Sequence, residues 1–273
     1  MLKILHINEK TQLKGGTETY ISQVCKLLES KKIYSSVITI ENLGAKLQLA
    51  VEDNTTRLKK DCIEKEAITF IKNYFKIQGF SIIHIHNLNH SNIIHSFFSY
   101  SPVIRTMHEP RMICPGQGKF WRYSETICTK PFGLHCLIHA YTEGCNNRHP
   151  KRLVRSYLNT KFEISRASRQ YSDILVFSQY MKEEAVLAGI SSEKIIVIPP
   201  FVNLHTGPTL PKTINTPAKI LFLGRLSRTK GVHYLIEAGK ILINRGFNIQ
   251  IDIVGDGYDR RTFEALIPFQ LKK

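Results

Sequence analysis

The feature that most constrains this chain is a regular exchange between short apolar runs and longer stripes of helical period. Residues 2–7 are a run holding β-formers, closed by the polar, glycine-containing stretch 8–16, which predicts a buried strand ending in a loop. Tyr20, Val24, Leu27 and Leu28 then recur at helical spacing, one apolar stripe on a helix that Gly16 or Thr17 caps. Strand signals follow at 34–40, 81–85, 103–107, 174–177 and 194–198, and helical ones at 63–75, 91–99, 160–171 and 179–188. Strands separated by helices need crossover connections, so the pattern predicts a parallel sheet covered on both faces.

Residues 199–217 contain five prolines and little periodicity, which marks a linker between two units. A second series opens beyond it. Residues 219–223 read as a strand and 224–230 as a loop; Val232, Leu235, Ile236, Gly239, Leu242 and Ile243 form a helical stripe; 248–254 is again a strand, followed by the turn Gly255-Asp256-Gly257. The expected division is a first domain over 1–203 with a cysteine-rich insert at 108–150, a linker at 204–217, and a partial domain over 218–273. That last stretch is well short of the roughly 100 residues or more a doubly wound domain takes. The expected fold class is therefore α/β with two Rossmann-like lobes, the second incomplete.

A formal charge of +16, from 38 Lys and Arg against 22 Asp and Glu, narrows the partners to polyanions, anionic membrane surfaces or phosphorylated small molecules. About half of the excess lies in residues 102–170, which suggests one basic face. Lys151, Arg152, Arg155, Lys161, Arg166 and Arg169 are interleaved there with Leu153, Tyr157, Leu158 and Phe162. Such an amphipathic basic helix is either a solvated outer face or a dock for anionic lipid headgroups. Nucleic acid is the weaker reading, because no known binding module accompanies the charge. No run approaches the roughly 20 apolar residues of a membrane span, and residues 1–9 read as a strand and not an export signal. A cytoplasmic protein is expected, peripheral to the inner face of the membrane if the basic face docks.

Ligands of an open parallel sheet sit beyond the carboxyl ends of its strands, and each candidate site occupies such a position. Gly15-Gly16 lies between the first strand and helix, where bare amides face an anion or simply make a turn. Arg225 and Lys230, in the loop Gly224 to Gly231, are two cations at the head of a helix, in outline a phosphate grip, with a solvated basic loop as the alternative. His84 and His86 share one face at a strand end. His108 and Glu109 close another strand, with Arg105 and Arg111 making the surroundings electropositive. Cys114, Cys128, Cys136 and Cys145, with histidines between them, offer donors that zinc prefers, yet without a CxxC knuckle; a structural zinc, a pair of disulfides and free thiols all remain open. Cys25 and Cys62 sit in apolar helical patterns and read as buried free thiols.

With these motifs in view the chain resembles the family 4 glycosyltransferases, retaining enzymes of the two-lobed GT-B fold. The resemblance is carried by Gly15-Gly16-Thr17-Glu18, Ile83-His84-Ile85-His86-Asn87, Thr106-Met107-His108-Glu109 and Ile198-Pro199-Pro200-Phe201-Val202-Asn203. It is strongest at Phe222-Leu223-Gly224-Arg225-Leu226-x-x-x-Lys230-Gly231 and Ile253-Val254-Gly255-Asp256-Gly257. It implies that Arg225 and Lys230 grip the diphosphate of a nucleotide sugar, with Gly15 and Gly16 on the same diphosphate across an interlobe cleft. Two fixed cations stabilise the charge that builds on the departing phosphate oxygen, so no cofactor is required for catalysis. His108 is implied as the catalytic residue near the transferred sugar, and His86 and Glu109 as acceptor-side residues. The acceptor is a glycan or a lipid-linked sugar in cell-surface polysaccharide assembly.

The family's second lobe continues with a Glu-x7-Glu element and a Gly-rich loop, and neither occurs in the sequence. Two alternatives therefore accompany the glycosyltransferase reading: a non-catalytic remnant that binds acceptor or anionic membrane, and a nucleotide-sugar epimerase-like enzyme.

Overall fold

In the computed structural model, which describes residues 2–9, 15–42, 46–52, 57–201 and 217–267, the chain forms two compact units, Met1–Val202 and Asn203–Lys273. The first begins with β1 (Lys3–Asn8), α1 (Gly16–Ser30), β2 (Tyr34–Asn42), β3 (Leu47–Glu52), β4 (Arg57–Cys62), α2 (Glu64–Gln78) and β5 (Ile82–Ile85). It continues through α3 (Ser91–Phe97) and β6 (Val103–Met107) into the insert, which holds the two-stranded β7 (Phe120–Trp121) and β8 (Thr126–Ile127) and the helix α4 (His135–Thr142). Then come α5 (Pro150–Phe162), a single π turn (Glu163–Ala167), α6 (Ser168–Gln170), β9 (Asp173–Val176), α7 (Gln179–Leu187) and β10 (Ile195–Val197).

Eight strands form one sheet in the order β10-β9-β6-β5-β1-β2-β3-β4, its pairings parallel except β2 with β3 and β3 with β4. The α/β class expected from the alternation is the one observed. β1 is central: the chain first winds away from it through β2, then returns to its other side at β5. The switch of direction opens the crevice beyond the carboxyl ends of β1 and β5, where open α/β sheets bind ligands.

The core follows the apolar pattern. Leu5 and Ile7 of β1, Ile38 and Ile40 of β2, and Ile83 and Ile85 of β5 are fully buried. In α2, Ala67, Ile71 and Phe75 are buried at i, i+4 and i+8. Glu66 reaches back to the Ile63 amide at 3.2 Å, and Gly79, at φ +66°, ends the helix with its N–H on the Lys76 carbonyl. Side chains other than glycine strain at that φ, which is why the stop falls there.

The 47–62 region, for which the sequence carries no expectation, is an antiparallel hairpin at the sheet edge: Leu47, Leu49 and Val51 alternate inward, while β4 carries Lys59, Lys60 and Asp61, charges that blunt an exposed edge. Two local expectations change. The helix expected at 160–171 begins at Pro150 and passes through the π turn. On α1, Ile21 is the buried residue, whereas Leu27 of the expected stripe is 49% exposed.

The second unit contains β11 (Ala218–Leu223), α8 (Val232–Asn244), β12 (Ile249–Val254) and α9 (Arg260–Leu266), with β11 and β12 parallel. Leu226, Val232, Ile236 and Phe263 make its core. Gly239 lets α8 lie close on the sheet, since a Cβ there would come 2.5 Å from Ile251 Cδ1. Leu221 and Leu223 of β11 are exposed. The expected linker 204–217 lies outside the described residues apart from Pro217, as does the tail beyond Ile267.

Candidate active site

Pairing of β1 with β5 puts His6 directly opposite His84, and His86 follows at the end of β5. His6 Nδ1 lies 3.0 Å from His86 Nε2, and His86 Nδ1 lies 2.9 Å from His108 Nε2 at the end of β6. His84 stands beside the chain, 2.6 Å from Thr106 Oγ1 and with its ring centroid 4.1 Å from that of His86. His6 and His86 are fully buried, while His108 is partly exposed. Burial holds the rings neutral: His6 is lowered to about 4 and His108 to about 3, the latter also by the Arg105 charge. His84 and His86 lie well below the usual imidazole value, from burial first and then from neighbouring rings and Arg105.

Arg105 fixes the loop that carries these rings. Its guanidinium donates to the His86 carbonyl and, at 3.2 Å, to the Leu88 carbonyl. It also pairs at 3.1 Å with Glu163 of the π turn, whose other oxygen accepts from the Tyr171 hydroxyl at 2.8 Å. Arg111 is paired with Glu9 at 2.8 Å and with Glu109 at 2.6 Å. Both arginines face carboxylates, yet the Arg105 charge still lowers His108, so the electropositive surroundings expected for His108 hold for Arg105.

Around His108 the rim is polar on one side and aromatic on the other. Asn87 bonds Asn8 through its amide N–H at 3.2 Å, and its side chain donates to Thr17 at 3.1 Å and Glu109 at 3.5 Å. Asn8 donates to Glu18 at 3.3 Å. Tyr20 meets the His108 ring edge-on at 5.2 Å, with Phe177 at 5.1 Å from both. Gly15 is the N-cap of α1 in extended conformation, and a Cβ there would come 2.6 Å from Glu18 Oε2. A Cβ at Gly16 would meet nothing within 4 Å, so that position is open.

In the second unit, Arg225 and Lys230 are both exposed at the strand-to-helix loop. Lys230 ends a short 3-10 turn, and Gly231, at φ +74°, turns the chain into α8. The loops after β11 and β12 cross main chain to main chain. Leu226 N–H donates to the Asp256 carbonyl at 2.9 Å, and a Cβ at Gly255 or Gly257 would come 1.9 Å from Gly224 O or 2.2 Å from Leu226 O. Gly255 has φ +150°. Glycine is the residue that lets these turns touch.

All six cysteines are free thiols. Cys136 and Cys145 are raised by burial and then by the other insert thiols, Cys114 among them, with Cys145 at about 11. The four insert thiols thus lie near enough to one another to raise Cys136 and Cys145; among the described residues, His6, His84 and His86 also bring ligand atoms together, all within 4.8 Å of one another. Both nitrogens of His86 are engaged in ring-to-ring hydrogen bonds, which link His6, His86 and His108 into a chain with His84 beside it. Sequence reasoning does not single out His6; its signal is the strand face it shares with Asn8, a polar pair opposite the apolar face of Leu5 and Ile7.

Residues 211–270 match the family model described as glycosyl transferases group 1. An uncharacterised 41.2 kDa protein of the cps region in Klebsiella pneumoniae is 23% identical over 278 aligned residues, covering 97% of this chain and 68% of that protein. The capsular polysaccharide biosynthesis glycosyltransferase CapM of Staphylococcus aureus is 24% identical over 97 residues, 31% of this chain and 26% of CapM. A crystal structure of a Staphylococcus aureus TarM variant with fondaparinux, α-GlcNAc-glycerol and UDP superposes with a TM-score of 0.57 at 9% identity, covering 97% of this chain and 74% of TarM.

Proposed function

We propose, from the premise that this chain belongs to the group 1 glycosyl transferases, that it moves a sugar from a nucleotide-sugar donor to a glycan or lipid-linked acceptor in cell-surface polysaccharide assembly. The observation that carries this reading is the second unit's loop: two exposed cations, Arg225 and Lys230, rooted on turns braced against each other at the head of α8. Cations so placed bind a diphosphate and stabilise the charge that grows on it as the glycosidic bond breaks. TarM was crystallised with UDP, and CapM belongs to capsule synthesis; both support a uridine nucleotide and a polysaccharide product. In the first unit, His108 meets the transferred sugar, Gly15 and Gly16 face the donor, and Glu109 lies on the acceptor side.

Isothermal calorimetry of the full chain with UDP is expected to show binding that Arg225→Ala weakens by about tenfold, the worth of one charge-assisted hydrogen bond. Absence of heat with UDP and with UDP-sugars, or an unchanged constant in the variant, removes the donor assignment.

A membrane-borne acceptor is supported by α5. No helix among the described residues is long and apolar enough to cross a membrane. Val154 and Leu158 are nevertheless about half exposed beside Lys151 and Arg155, on the wall of a groove of about 660 Å³. Apolar side chains flanked by cations suit an anionic bilayer surface. The chain is expected to co-sediment with phosphatidylglycerol vesicles at low salt, and Lys151→Glu with Arg155→Glu to abolish this; failure of the wild type to sediment rejects the membrane dock.

A further inference from the structure

The three linked imidazoles carry a direction. All three are neutral near pH 7, so each has one N–H. Each of the two nitrogen-to-nitrogen contacts needs one proton between its partners, which leaves two self-consistent arrangements. In one, His108 donates from Nε2 to His86, His86 donates to His6, and His6 is left with an N–H at Nε2. In the other, His6 donates from Nδ1, His86 donates from Nδ1, and His108 is left with an N–H at Nδ1.

The far end decides between them. Among the described residues, His6 Nε2 is buried and has no hydrogen-bond partner. The first arrangement makes it an orphaned N–H, and the second an uncompensated lone pair; buried donors are left unpaired more rarely than acceptors. Thr106 does not discriminate, because its hydroxyl both donates and accepts and it contacts His84 and not the chain itself.

We propose that His6 and His86 are positioning residues that polarise the chain outward and hold His108 as its Nδ1–H tautomer, so that His108 meets a sugar oxygen as a hydrogen-bond donor and not as a base. The sugar as ligand rests on the glycosyl-transfer reading above; the tautomer does not. His86 therefore acts through His108, in keeping with its complete burial, in place of the direct acceptor contact implied by the resemblance.

Long-range nitrogen–proton NMR on the full chain labelled with 15N-histidine, at pH 7.5, reads the tautomer directly, with the His108 signal assigned as the one lost in His108→Asn. The expected wild-type pattern is protonation at Nδ1. His86→Leu removes both contacts and is expected to shift His108 toward the Nε2–H form that free imidazoles favour. His86→Gln is expected to restore Nδ1–H, since its amide can accept from His6 and donate to His108. Sugar transfer should follow the same order, with kcat falling about tenfold in His86→Leu at little change in KM and recovering in His86→Gln. Protonation of wild-type His108 at Nε2 overturns the proposal even if no variant folds, and an unchanged tautomer in a folded His86→Leu overturns the positioning role. The expected tautomers without turnover on any nucleotide sugar would instead fail the glycosyl-transfer reading and leave the polarised chain intact.

Discussion

Arg105→Met is expected to destabilise the first unit by about 3–5 kcal/mol, the range for removing one partner of a buried ion pair. Arg105 and Glu163 are 4% and 5% exposed. The substitution strips the donors from the His86 and Leu88 carbonyls and leaves a carboxyl group with only the Tyr171 hydroxyl beside it. Glu163 is already raised by burial against the pull of Arg105; losing that cation pushes it further toward its protonated form. Urea unfolding followed by Trp121 fluorescence measures the effect, because this is the chain's one tryptophan and lies in the first unit. The double variant Arg105→Met with Glu163→Leu should regain more than half of the loss, since no buried charge is left without a partner. A single variant within 1 kcal/mol of wild type would show that the pair does not hold the loop.

Acid should unfold the first unit well before its surface carboxylates are exhausted. In the unfolded chain, histidines take up a proton near pH 6.5. In the folded chain, His6 refuses it until about 4 and His108 until about 3, with His84 and His86 shifted the same way. Between pH 6.5 and 4 the unfolded state therefore binds more protons, and stability falls as pH falls; above 6.5 both states are neutral and the term vanishes. At about 1.4 kcal/mol per pH unit, His6 alone costs about 3 kcal/mol by pH 4. His90 is lowered as well, and Glu163, raised by burial, works in the opposite sense, one group against five. The urea midpoint of Trp121 fluorescence should slope steeply between pH 6.5 and 4.5 and flatten in His6→Asn with His86→Gln. A flat wild-type profile over that window would mean that the rings are hydrated or already charged.

Much of this architecture was legible in the sequence because periodicity is a local signal: Ile83, Ile85 and Val103 announce buried strands without reference to anything distant. His84, His86 and His108 were visible for the same reason, as polar residues at the ends of such runs. His6 was not, because its meaning depends on β1 lying beside β5, a pairing across 78 residues. The pairing of Arg105 with Glu163 is illegible for the same reason: 58 residues separate them, and a π turn sets the angle at which Glu163 enters the core. The β3–β4 hairpin carries no such signal, because charged β4 has no apolar period of its own and is held by the ladder to β3.

The crossed turns of the second unit bear on how tightly an anion can be held. A cation on a wandering loop must first be brought to rest, and that immobilisation is subtracted from whatever attraction follows. With Gly255 and Gly257 seated against the main chain of Gly224 and Leu226, Arg225 springs from a stationary root. What is left to freeze is its own torsions, at about 0.5–1.5 kcal/mol.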